Sequence, residues 1–170
     1  MILSQMFLFI IFSLVSILSF SGLGQLINKN KSEDLLNNFF FGLIVVSFII
    51  TLIHFFYKIN LFVSAIIVIA GLLINLRHFF FSKTKINNNY LTYILIFIIL
   101  IPIYISQKYH EDFGYYHLPY IINVINEKII FGLANINRAF VHNSLWLNIM
   151  PVFYFKDNFN FVTLPTFLIY

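Results

Sequence analysis

Long runs without a charged residue constrain this chain more than any other feature of its sequence. Residues 1–28 contain no Asp, Glu, Lys or Arg, and neither do Leu35–Tyr57, Ile59–Leu76 and Ile86–Gln107. A transmembrane helix needs about 20 mostly apolar residues, because the backbone within a bilayer must satisfy its own hydrogen bonds. The runs also lack the alternation of a barrel strand. We therefore predict four membrane-spanning helices, near residues 2–27, 36–57, 60–76 and 89–106.

The composition excludes most other classes of protein. Hydrophobic residues make up 61% of the 170 residues and charged residues only 9%, against about 25% charged in soluble domains. A soluble domain of this size could not bury so much apolar surface. The absence of cysteine excludes thiol catalysis, thiolate metal sites and iron–sulfur clusters. The net charge of +4 comes from Lys and Arg scattered between apolar runs, so no nucleic-acid partner is expected.

The predicted fold class is all-α, a polytopic bundle of transmembrane helices. Two more apolar segments follow the four spans, one from about Ala139 to Phe155 and one from Phe159 onward. We divide the chain into four transmembrane helices over 1–106, an extracytoplasmic loop with an interfacial helix over 107–141, and further transmembrane segments over 142–170. Since the last segment ends within an apolar run, we expect an N-terminal fragment of a larger protein.

Lys and Arg near the helix ends predict the orientation, because basic residues accumulate on the cytoplasmic side. The first and third loops hold five of them, whereas the second loop holds only Lys58. These five residues are Lys29, Lys31, Arg77, Lys83 and Lys85. The prediction is a multi-pass protein of the cytoplasmic (inner) membrane with its N-terminus and its 107–141 loop outside.

The loop after the fourth span is the one place where several ionisable residue types crowd together. Three of the six acidic residues lie there, namely Glu111, Asp112 and Glu127, and residues 108–119 read KYHEDFGYYHLP. Pro119 fits the first turn of a helix. The apolar residues that follow it share one helical face, which predicts a short amphipathic helix lying in the membrane interface and ending with Gly132 as its cap. They are Ile121, Val124, Ile125 and Ile129.

Several chemistries are open to the loop residues. A carboxylate of Glu111 or Asp112 could take a proton from a hydroxyl, which works best when desolvation raises its pKa, or could hold a divalent cation. His110 and His117 could join a metal site, although the second His of a zincin helix is missing. Arg138 could grip a phosphate. The competing interpretation is that the charged and aromatic residues occur here only because this segment lies at the boundary between membrane and water.

The loop resembles the GT-C superfamily of membrane glycosyltransferases. The resemblance covers about residues 105–150 and consists of the acidic pair, the interfacial helix and the string Tyr115–Pro119. The same string, followed by Gly132-Leu133-Ala134-Asn135, Arg138 and Asn143-Ser144, is also similar to an uncharacterised group of bacterial multipass membrane proteins near those enzymes.

The resemblance implies transfer of a sugar from a polyprenyl-phosphate-linked donor to a cell-envelope acceptor on the outer face of the membrane. Asp112 would be the main catalytic residue and Glu111 the second. The residues that would contact the donor phosphate or the acceptor are His117, Tyr116, Arg138, Asn135 and His110. In the superfamily this loop usually follows the first helix, whereas here it follows four.

Two other functions remain open. A transporter would use ionisable groups within the membrane, and His54 lies inside the second span, where it serves either as a proton relay or as a neutral packed side chain. A non-catalytic membrane scaffold or assembly subunit would need none of the loop residues. In all three cases membrane lipid is the surrounding partner.

Overall fold

A computed structural model describes residues 2–28, 35–81, 112–136, 145–154 and 159–169, together with helical positions 95, 98, 99, 101 and 102. All the regular structure of these residues is helical. Three long helices come first: α1 (Ile2–Gly24), α2 (Leu35–Phe56) and α3 (Leu61–Phe81). Each is long and apolar enough to cross a membrane, so three of the four predicted segments are helices that could span one. The fourth, at 89–106, lies almost wholly outside the described residues.

Glycines allow α1 to approach both α2 and α3 closely. A Cβ atom on Gly22 would collide with the carbonyl oxygen of Gly71 in α3, and one on Gly42 in α2 would collide with the carbonyl oxygen of Phe20. Small residues at such contacts are typical of membrane helices, whose association depends on close packing and interhelical hydrogen bonds. The end of α1 therefore lies beside the start of α2 and the second half of α3, as expected when successive spans alternate in direction.

The second described region begins with a π-helical turn, Phe113–His117, that leads directly into α4 (Leu118–Asn126). Pro119 occupies the first turn of α4, as predicted. The helix ends earlier than predicted, because Glu127 is already extended and forms the cap. The predicted cap at Gly132 is wrong: this glycine, with a φ of 81°, lies in a turn before the short helix α5 (Leu133–Ile136).

Helix α4 is docked on the corner between α2 and α3. The amide of Ile59 donates to the carbonyl oxygen of Val124 at 3.0 Å, and the amide of Ile129 donates to the carbonyl oxygen of His54 at 2.9 Å. Ile121 and Val124 are completely buried. Of the predicted apolar face, Ile121 and Val124 pack against the protein where α2 stops and α3 starts, Ile125 is half-buried, and Ile129 lies beyond the end of the helix.

The last described segments are short helices packed against the long ones. They are α6 (Leu145–Ile149), two 3₁₀ turns at Met150–Phe153 and Phe159–Thr163, and α7 (Leu164–Ile169). Residues 147–153 are all buried. The Phe153 ring packs edge-on against Phe20 of α1, and Phe161 packs against Phe12. Since residues 142–144 and 155–158 lie outside the described residues, membrane crossing by 142–170 stays a prediction.

Candidate functional site

Three of the predicted site residues lie in or beside the π-helical turn. The turn starts immediately after Asp112, and Tyr116 and His117 are its last two residues. The backbone amide of Leu118 donates to the carbonyl oxygen of Phe113 across five residues. Such turns are rare and often mark functional sites.

Exposure differs sharply among these three side chains. Asp112 is exposed, and Tyr116 is 42% exposed. His117 is half-buried, its ring lies 6.4 Å from that of Phe113, and its buried Nδ1 atom has no hydrogen-bond partner. The turn thus combines an exposed carboxylate with a partly buried imidazole.

The other predicted site residues lie outside the π-helical turn. Asn135 is exposed on α5, where its backbone N–H donates to the carbonyl oxygen of Gly132 at 2.9 Å. Glu111, His110 and Arg138 lie outside the described residues, so their predicted roles stay predictions. Over the ranges that the structure describes, no three His, Asp or Glu side chains come close enough to hold a metal ion.

A buried chain of hydrogen bonds beneath the turn was not predicted. The hydroxyl of Tyr120 donates to Oδ1 of Asn148 at 2.8 Å, and Nδ2 of Asn148 donates to Oγ1 of Thr51 at 3.0 Å. Thr51 in turn donates to the carbonyl oxygen of Ser47 at 2.8 Å. The chain connects α4, α6 and α2. Each member is a single polar residue in an apolar context, and the only sequence signal was this isolation.

Burial fixes the protonation state of the first donor in this chain. Desolvation raises the pKa of the Tyr120 hydroxyl from its usual 10.0 to about 12. The hydroxyl therefore keeps its proton, and keeps donating to Asn148, at alkaline pH values at which an exposed tyrosine would ionise. Asn148 is itself only 4% exposed, so this bond is shielded from competing water.

His54, the ionisable residue predicted inside the second span, lies close to the same region. Its side chain is buried near the end of α2, and its Nδ1 atom has no hydrogen-bond partner. Its backbone carbonyl accepts the bond from Ile129 described above. His54 therefore contributes to the attachment of the loop through its main chain, whatever its ring does.

Comparison with family models gives the chain a family but no function. A model described as "Domain of unknown function (DUF8201)" matches residues 1–170. Neither the curated proteins nor the solved structures provided a match. The match to the family model covers the whole sequence, and the chain belongs to this family of unknown function.

Proposed function

We propose that this integral membrane protein is a glycosyltransferase, or part of one, that moves a sugar from a polyprenyl-phosphate-linked donor to a cell-envelope acceptor. The observation that carries the proposal is the exposed carboxylate of Asp112 at the start of a π-helical turn that also contains Tyr116 and His117. The turn is connected directly to α4, which is fixed at one end of the bilayer-crossing helices. A lipid-linked donor presents its phosphate at that height.

The topology of the described helices supports an outward-facing loop. Helix α3 leads away from the corner on which α4 is docked, yet the chain has returned to that corner by residue 118. The fourth predicted span, between Phe81 and Asp112, would account for this return. The loop around Lys58 and the 107–141 loop then share one side of the membrane, which the charge count makes the outer side. We propose that α4 lies at this membrane surface.

In the proposed reaction, Asp112 accepts the proton of the acceptor hydroxyl while the hydroxyl oxygen bonds to the anomeric carbon of the donor sugar. The bond between that carbon and the donor phosphate oxygen breaks. The polyprenyl phosphate leaves with the electron pair. Tyr116 and His117 would donate hydrogen bonds to the departing phosphate, and Glu111, His110, Asn135 and Arg138 would complete the contacts to donor and acceptor. Adjacent carboxylates could also hold a divalent cation.

The test is replacement of Asp112→Asn in the full-length protein, with Glu127→Gln as the matched control. Both are exposed acids of the same loop, but only Asp112 borders the π-helical turn. Membranes are supplied with radiolabelled polyprenyl-phosphate sugars, and loss of label from the lipid fraction is followed. We expect Asp112→Asn to abolish transfer at unchanged expression while Glu127→Gln retains it. Full transfer by Asp112→Asn would overturn the role of this residue.

The buried ring of His54 favours a second candidate, a transporter, because intramembrane ionisable residues often mark transport pathways. Solute uptake into proteoliposomes that is lost in His54→Gln and retained in Asp112→Asn would support this candidate. A non-catalytic scaffold predicts that both substitutions are tolerated in every assay.

A further inference from the structure

Two apolar residues after α4 are left largely exposed by the part of the chain that the structure describes. Phe131 is 80% exposed and Ile130 is 43% exposed; we refer to these two residues as the tip. Gly132, with its left-handed backbone, turns the chain directly behind them. A phenylalanine this exposed in water is costly, because burying such a side chain contributes about 1.5–3 kcal/mol. The tip therefore needs an apolar environment.

The position of the tip is fixed relative to the end of α2. The amide of Ile129 is bonded to the carbonyl oxygen of His54, as described above, and the Phe131 ring lies 6.3 Å from that of Phe55. Phe55 belongs to the exposed apolar face of α2, which repeats at helical spacing along the span. This face consists of Ile44, Phe48, Leu52 and Phe55. The tip extends the face by one further aromatic ring beyond the last turn of the helix.

The residues around the tip have the character of a membrane surface. Lys58 and Lys128 are exposed at this end of the helices, together with Glu127 and Tyr57. Lysine side chains pair with lipid phosphates, and tyrosine is enriched at the headgroup level. Apolar side chains below a ring of Lys and Tyr are typical of segments that dip into a leaflet.

We propose that the tip inserts into the lipid leaflet at this end of the bilayer-crossing helices, with Phe131 among the first methylene groups of the acyl chains. The apolar face of α4 is already occupied by protein, so the lipid contact of this region is made by the tip. The proposal requires that α2 crosses the membrane and is independent of the chemistry of Asp112.

The test uses tryptophan fluorescence of the full chain in vesicles of brominated phosphatidylcholine. The single native tryptophan, Trp146, is replaced by Phe, and one tryptophan is introduced as Phe131→Trp. Two control variants calibrate depth. Phe48→Trp lies on the middle of the same face of α2, and Asn126→Trp lies on the exposed end of α4. Quenching by bromine near the headgroup, by bromine near the chain end and by aqueous iodide is compared.

We expect the fluorescence of Phe131→Trp to be quenched by bromine near the headgroup and to be shielded from iodide. The fluorescence of Phe48→Trp should be quenched by bromine near the chain end. The fluorescence of Asn126→Trp should be quenched by iodide alone. Iodide quenching of Phe131→Trp without bromine quenching would overturn the proposal. Shielding from both quenchers would also overturn it, since the tip would then be covered by protein such as a second copy. A nitroxide spin label on Phe131→Cys tests the same point without the Trp146 substitution. We expect the label to collide more often with oxygen, which concentrates in the lipid, than with nickel dissolved in water. More frequent collisions with nickel would refute insertion.

Discussion

The hydroxyl of Tyr120 and the side-chain amide of Asn148 form a buried hydrogen bond of 2.8 Å across 28 residues of sequence. Through its second contact, with Thr51, Asn148 joins the helix that follows the π-helical turn to the long apolar helix α2. One amide therefore holds three helices in register. A group in this position is costly to remove, because its partners remain buried without a substitute.

Replacing Asn148→Leu is expected to destabilise the protein by about 1–3 kcal/mol, since the Tyr120 hydroxyl loses its acceptor and Thr51 loses a donor. The midpoint of thermal unfolding in detergent measures the change. Asn126→Leu serves as the control, because this asparagine is exposed at the end of α4. A midpoint for Asn148→Leu equal to that of the wild type would show that the buried chain contributes nothing to stability.

The raised pKa of Tyr120 predicts a specific alkaline instability. The folded protein keeps the hydroxyl proton up to about pH 12, whereas the unfolded chain releases it near pH 10. Between these values the unfolded state binds fewer protons, so the stability contributed by this group is complete below pH 10 and declines as the pH rises toward 12. Unfolding midpoints measured from pH 8 to pH 11 should fall less steeply in Tyr120→Phe. Identical slopes for both proteins would contradict the assignment.

Gly22 and Gly114 offer a matched test of helix packing. Alanine at Gly22 places a methyl group against the carbonyl oxygen of Gly71, whereas alanine at Gly114 meets nothing within 4 Å. Overpacking typically costs about 1–3 kcal/mol, so Gly22→Ala should lower the unfolding midpoint while Gly114→Ala leaves it nearly unchanged. Equal effects of the two substitutions would rule out the close approach of α1 and α3.

The docking of α4 on the α2–α3 corner predicts which residues share a side of the membrane. The chain has no native cysteine, so single cysteines can be probed with an impermeant thiol reagent in intact cells. Lys58→Cys and Asn126→Cys should both be labelled, whereas Arg77→Cys, at the far end of α3, should be labelled only after permeabilisation. Opposite behaviour of positions 58 and 126 would contradict the fold. Labelling at 77 alone would invert the orientation.

The long helices could be predicted closely because their limits depend on local properties. A run without charges predicts a long apolar helix, and α2 was predicted to within one residue at each end. Helix α3 instead continues through Arg77 to Phe81, five residues past its predicted end. The short helix α4 shows where this reasoning stops. Its apolar stripe was visible in the sequence, but a stripe does not reveal whether lipid or protein covers it. In the structure Ile121 and Val124 lie against the protein.

The candidate site was likewise predictable only in part. Asp112, Tyr116 and His117 were selected because ionisable and aromatic residues crowd there, and all three lie in or beside the π-helical turn. Their roles stay predictions. The turn itself was not predicted, since a single extra residue per turn leaves no periodic signal over five residues. Asn148 was missed because its significance depends on Tyr120 and Thr51, which are distant in sequence.

The attachment of α4 to the α2–α3 corner makes bilayer thickness a determinant of the proposed chemistry. Helix α2 has 22 residues, a length of about 33 Å, and its end fixes the height of everything docked upon it. A thicker bilayer would draw the carboxylate of Asp112 toward the headgroups, and a thinner one would lift it into water. The acyl-chain length of the surrounding lipid would then set the distance, along the membrane normal, between a donor phosphate and that carboxylate.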